Sequence, residues 1–158
     1  MTVVGLPQGL PLFAFDGSPI PNSIDADPSD GYVALARDGF RFAINAATRL
    51  RGPTGRYNCH GLVFASRRTN IPPPNIDYSI DDLLKHDGYR RVSRAPRVGD
   101  VAVYRNDKGS IEHTGIVCNA DPGMLTPRIW SMWGGLGEFV HAPGATPYGQ
   151  AVEYWAVP

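Results

Sequence analysis

The sequence predicts an α+β domain in which helices come first and a mainly antiparallel sheet of five to six strands follows. Three observations point there. Between Tyr32 and Leu50 apolar residues recur every three or four positions, the stripe of an amphipathic helix. From Tyr89 onward the apolar stretches shorten to β-branched or aromatic runs separated by Gly, Pro, Asp and Asn. The 18 glycines and 15 prolines of the 158-residue chain demand many turns and short elements. Helices and strands segregated in this way favour helices packed on one side of the sheet.

Residues 1 to 50 read as an N-terminal arm and first helix, and residues 51 to 158 as the core, within a single compact domain. LPLFAFDG (Leu10 to Gly17) reads as one short strand, and SPIPNSIDADPSDG (Ser18 to Gly31) as a long arm whose prolines forbid a helix. From Tyr32 to Leu50, Val33, Ala36, Phe40, Ile44 and Ala47 form the helical stripe, weakened by Gly39. GPTG (Gly52 to Gly55) is a turn, after which CHGLVFASRR resumes helical character until IPPPN (Ile71 to Asn75) stops it. SIDDLLKHDG (Ser79 to Gly88) carries a capping pattern, Ser79 with Asp82 three residues on, and Gly88 is placed to end that short helix. The strand runs are YRRVS, DVAVYRN, HTGIVCN, RIWSMW and AVEYWAV.

Charge excludes some functions. Fifteen basic residues balance fifteen acidic ones with no block of one sign, so the footprint of a nucleic-acid binder is missing. No run approaches the roughly 18 apolar residues of a membrane span. MTVVGLPQGLPLFAF lacks a basic start and is interrupted by Pro7 and Pro11, so it does not read as a secretory signal. That reading leaves the protein cytoplasmic, or exported by a specialised route. Only Cys59 and Cys118 are present, outside any close-spaced zinc pattern, and Cys118 reads as a buried, inert strand residue.

Cys59 is the residue with chemical promise. Gly52, Gly55 and Asn58 precede it as turn and cap residues, and Leu62, Val63 and Phe64 follow, which places the thiol in the first turn of a helix. There the helix dipole and unpaired N–H groups favour thiolate and offer donors to an oxyanion. A nucleophilic thiol needs a base within hydrogen-bond reach, and His113, opening the strand HTGIVC, is the candidate.

NCHGLV, then RVGDVAVY, then HTGIV resembles the NlpC-type and CHAP-type papain-like cysteine peptidases and amidases, from about Tyr57 to the C-terminus. SMWGGLGEFVHAPGATPYG also resembles the ending of a subset of papain-like domains. The resemblance implies a papain-like core, no cofactor and no metal, with Cys59 as nucleophile and His113 as base. FVHA nominates His141 as the third member, with Ser131 and Glu138 in reserve. Tyr57, Asn58, His60 and Trp133 are the residues expected around substrate and oxyanion. The implied substrate is the peptide part of bacterial peptidoglycan or another peptide or amide, and an inhibitor or immunity protein is a possible partner.

Two departures bear on substrate. His60 replaces a small polar residue after the cysteine, and the tyrosine those enzymes carry about a dozen residues earlier has no counterpart, Ala47 and Thr48 standing there. Alternatives are a papain-like deamidase or acyltransferase of toxin type, a catalytically inactive binding module, and a zinc module built from Cys59, His60, His113 and His141.

Overall fold

The computed structural model describes residues 9–72, 78–149 and 151–158. Its N-terminal arm is irregular as far as Ser29, whose hydroxyl caps α1 (Asp30–Gly39) by accepting from the Tyr32 N–H. A break at Phe40 separates α1 from α2 (Arg41–Asn45). The predicted stripe is intact across the break: Val33, Ala36, Phe40, Ile44 and Ala47 all pack on Trp133, Leu136 and Phe139. LPLFAFDG forms no strand. It makes a turn with one isolated bridge, Phe13 to Pro19, because Pro19 has no N–H with which to continue a ladder.

β1 (Thr48–Arg51) follows, then α3 (Cys59–Phe64), α4 (Ile80–His86), β2 (Arg90–Arg91), β3 (Val101–Arg105), β4 (Ile111–Asn119), β5 (Arg128–Met132), a single 3₁₀ turn (Gly134–Leu136), β6 (Glu138–His141) and β7 (Glu153–Ala156). The strands form one sheet in the order β1-β6-β5-β4-β3-β7-β2, every neighbouring pair antiparallel. The chain is therefore α+β with a mainly antiparallel sheet, as its sequence predicts. The strand beyond the expected six is β1, read from sequence as the end of a helix. All of its residues are exposed, so it has no apolar alternation, and its extended state comes from pairing with β6. A boundary at residue 50 cuts this strand.

Alternation along β3 divides the core. Val101 and Val103 face α3 and α4 together with Ile80, Leu83, Leu84 and Ala65, while Ala102 and Tyr104 face Val117 and Ile129 on the other side. The capping box of α4 forms as expected, with Ser79 and Asp82 bonding each other's backbone, and Gly88 adopts φ +74 just past the helix. The proline run IPPPN lies partly outside the described residues, as does the extreme N-terminus.

The helix bearing Cys59 is shorter than CHGLVFASRR suggests, because Ser66 (φ 49) and Arg67 (φ 65) turn into the left-handed region directly after it. The arm crosses in front of that helix. Asp27 accepts from the Thr54 hydroxyl at 3.0 Å and the Gly55 N–H at 2.9 Å, and Asn70 donates to the Gly55 carbonyl at 2.8 Å. Gly55 is required by this approach: a Cβ there would stand 1.9 Å from the Ala26 carbonyl oxygen, whereas a Cβ on Gly52 would only touch the end of Arg49 at 3.5 Å. Gly55→Ala is expected to cost about 1–3 kcal/mol and Gly52→Ala within about 0.5 kcal/mol, as read from urea midpoints. Equal effects would mean that the arm does not pack there in solution.

Candidate functional site

α3 begins where β4 and β5 part. Their ladder runs from Asn119 opposite Arg128 to Gly115 opposite Ser131, so Thr114 and His113 lie past its last pair. The start of α3 packs on this end of the ladder, in contact with both strands. The Cys59 sulfur meets the backbone N–H and hydroxyl of Thr114, with the N–H groups of His60 and of Cys59 itself nearby. Met132 and Leu62 pack beside it.

Asn58 sets the start of the helix. Its Oδ1 accepts from the Gly61 N–H at 2.9 Å and the Ile71 N–H at 3.2 Å, and its Nδ2 donates to the Ile71 carbonyl at 2.6 Å. The amide is thus occupied as a cap and is not presented to an oxyanion. The expectation of a stabilised thiolate is also corrected. Cys59 is only 9 % exposed, and burial outweighs the surrounding N–H groups, pushing the thiol up to about 11. A six-residue helix has too little dipole to reverse that.

His113 is fully buried, and neither ring nitrogen has a hydrogen-bond partner among the described residues. It pairs across from Tyr104 on β3, whose ring stands 5.4 Å away at 52°, and Tyr148 stacks on it at 3.8 Å and 10°. Burial, reinforced by His60 and His141 nearby, holds the imidazole well below its usual range and therefore neutral. No hydrogen bond joins His113 to Cys59. Cys59 abuts Thr114, the next residue on β4, whose side chain alternates with that of His113 across the sheet, and Tyr148 covers His113 while lying within electrostatic reach of Cys59.

The other sequence candidates are engaged elsewhere. His60 is buried with Nδ1 2.9 Å from the Thr114 hydroxyl, and desolvation lowers its pKa to about 4. It points into the sheet, so it does not crowd a cleft. His141 donates from Nδ1 to the Ala142 carbonyl at 2.7 Å, which leaves Nε2 to accept from the Ser131 hydroxyl at 2.8 Å, and the Trp133 indole donates to the same hydroxyl at 3.0 Å. Neither His141 nor Ser131 bonds His113. Trp133 is fully buried and stacked on Phe139 at 4.3 Å, a core residue and no cleft wall in this structure.

Glu138 is also occupied. Its carboxylate accepts from the Tyr57 hydroxyl at 2.5 Å, Arg67 Nε at 2.6 Å and the Trp130 indole at 2.8 Å, and these partners hold it below the usual carboxylate range despite burial. Sequence reasoning missed Thr114, hidden within HTGIV, and Tyr148, whose only signal was the YG at the end of the resembled pattern. Beside the start of α3 lies a groove of about 200 Å³ lined by Pro28, Tyr32, Tyr57, Asn58, Gly134 and Gly135.

Among the described residues no three His, Cys, Asp or Glu side chains are placed to hold a metal, so Cys59, His60, His113 and His141 do not converge as a zinc set. No helix among those residues is long and apolar enough to cross a membrane. Cys118, expected to be buried, is half-buried beside the register shift between Val117 and Asn119, with its thiol 3.4 Å from the Arg128 carbonyl. No protein-family model, curated protein or solved structure matches the chain.

His60, His113 and His141 are buried and neutral, whereas in the unfolded chain each takes a proton near pH ~6.5. Their contribution to stability is intact above that pH and is lost as pH falls toward about 4, the folded value of His60 and His141. Unfolding free energy should drop by roughly 1.4 kcal/mol per pH unit for each histidine across this window, measured by urea titration. A flat profile from pH 7 to 5 would contradict neutral burial. Iodoacetamide at pH 7 to 8 should label half-buried Cys118 before Cys59, as read by peptide mass spectrometry, and faster labelling of Cys59 would show a thiolate already formed.

Proposed function

We propose that the chain is a thiol hydrolase of the papain-like NlpC or CHAP type that cleaves an amide bond, with Cys59 as nucleophile and His113 as general base. The observation that carries this reading is the placement of the Cys59 sulfur at the start of its helix against Thr114, the residue after His113 on β4, whose imidazole is neutral with neither nitrogen bonded among the described residues. A base must be unprotonated to act. His113 meets that condition, and catalytic hydrogen bonds often tighten only once substrate is bound.

A thiol raised to about 11 rules the chemistry toward general-base catalysis and away from a preformed ion pair. His113 takes the Cys59 proton as the sulfur attacks the amide carbonyl. The Cys59 N–H, at the open end of α3, faces the developing oxyanion. The imidazolium then protonates the leaving amine, and water cleaves the thioester with His113 again as base. The groove lined by Tyr57 and Asn58, the two residues before Cys59, is the nearest described opening to the thiol in sequence, and its volume of about 200 Å³ accommodates a small part of a peptide. The peptide part of peptidoglycan is the substrate we favour, on the resemblance of NCHGLV and HTGIV to cell-wall enzymes.

Cys59→Ala should lower release of peptide fragments from purified peptidoglycan by about a thousandfold or more, and His113→Ala similarly, with melting temperature kept in the Cys59 variant. Full activity in Cys59→Ala would overturn the reading. The burial of Cys59 favours, as a second reading, an inactive module whose cleft binds a peptide. In that case both variants bind the same fragments as the parent and none releases product.

A further inference from the structure

A histidine base is ordinarily held by a polar partner that bonds its distal nitrogen and fixes ring and tautomer. Here every polar side chain considered for that role is committed elsewhere: His141 to Ser131 and the Ala142 carbonyl, Ser131 to His141 and Trp133, and Glu138 to Tyr57, Arg67 and Trp130. Both nitrogens of His113 are bare among the described residues. Something else must set the ring plane.

We infer that Tyr148 is the positioning residue of His113, orienting the imidazole by parallel stacking in place of a hydrogen-bonding third member. The centroids are 3.8 Å apart with 10° between planes. The opposite constraint is Tyr104, at 5.4 Å and 52°, whose hydroxyl donates to the Pro143 carbonyl at 2.9 Å and so ties β3 to the same β6–β7 connection that carries Tyr148. Tyr148 is itself held by two clusters: it packs against the Trp133, Leu136 and Phe139 cluster that receives α1 and α2, and against the Ala102, Tyr104 and Val117 cluster.

The geometry has a chemical consequence. Both imidazole nitrogens direct their proton or lone pair in the ring plane, so a ring lying face to face fixes that plane while occupying neither nitrogen. A hydrogen-bonding partner would select one tautomer. Stacking leaves both available, and one nitrogen remains free to turn toward Cys59 when substrate enters. The aromatic cover also excludes water, which keeps the ring neutral.

This inference rests on His113 being the base, but its test includes a reading independent of turnover. Tyr148→Leu keeps apolar volume and removes the ring; Tyr148→Phe keeps the ring and removes the hydroxyl. In spectra of the full chain labelled with ¹⁵N-histidine, His113 of the parent and of Tyr148→Phe should stay neutral from pH 8 to 5, whereas in Tyr148→Leu it should titrate near ~6.5. On a peptide amide, Tyr148→Leu should lower kcat about a hundredfold with KM little changed, and Tyr148→Phe should rescue it. If Tyr148→Leu does not fold, Tyr148→Met carries the same comparison. A His113 that behaves alike in the Leu and parent proteins, or a Phe variant as impaired as Leu, overturns the inference. Absence of turnover in the parent with the expected spectra overturns the hydrolase reading alone.

Discussion

The carboxylate of Glu138 is fully buried, and its hydrogen bonds come from groups on both sides of the cysteine helix. Tyr57 precedes Cys59, and Arg67 follows the helix end. Through them one side chain at the start of β6 clamps α3 at entry and exit, while Trp130 of β5 adds a third bond and lies beneath the Arg67 guanidinium at 4.4 Å. Removing one partner from such a buried charge costs on the order of 3–5 kcal/mol, because the others are left unpaired. The same pairing explains why Ser66 and Arg67 tolerate positive φ: the turn that points Arg67 back to Glu138 also ends the helix. Everything proposed for Cys59 depends on this clamp, since it holds the helix whose first turn buries the sulfur against Thr114.

That burial governs the state of the thiol. At the surface, the first turn of a helix would lower the thiol pKa; buried against Thr114 and Met132 it raises it, and the sulfur must rely on a base. Burial acts on the imidazoles in the same sense, favouring their neutral form and opposing protonation. The environment that makes Cys59 a poor spontaneous nucleophile also lowers the basicity of His113, so the proposed proton transfer calls for substrate binding to bring the pair into contact.

Much of this was legible from the residues, for physical reasons. The stripe from Val33 to Ala47, the capping box at Ser79 and the short β-branched runs of β3 and β4 are local patterns, and all three appear. β1 was not legible, because its strand state comes from β6 and none of its own side chains is buried. The early end of α3 was missed because neither Ser66 nor Arg67, which turn into the left-handed region there, is a residue whose type marks such a turn, and the Glu138 that Arg67 meets lies far along the chain. Placing Cys59 at a helix start required only Asn58 and the glycines before it. The partners of His60, His141, Ser131 and Glu138 are set by cross-strand register, which no short motif encodes. Tyr148 sits in a turn-rich segment whose composition says nothing about which ring it will cover.

The central claim is that Cys59 and His113 work as a pair across the end of the β4–β5 ladder. A crystal structure of the protein with Cys59 bonded to a peptide aldehyde tests it most directly, since the hemithioacetal stands in for the tetrahedral intermediate. The account predicts one His113 nitrogen within about 4 Å of the sulfur, with the ring still stacked on Tyr148. A separation of more than about twice that, with the imidazole unmoved and the adduct held by other groups, would contradict it.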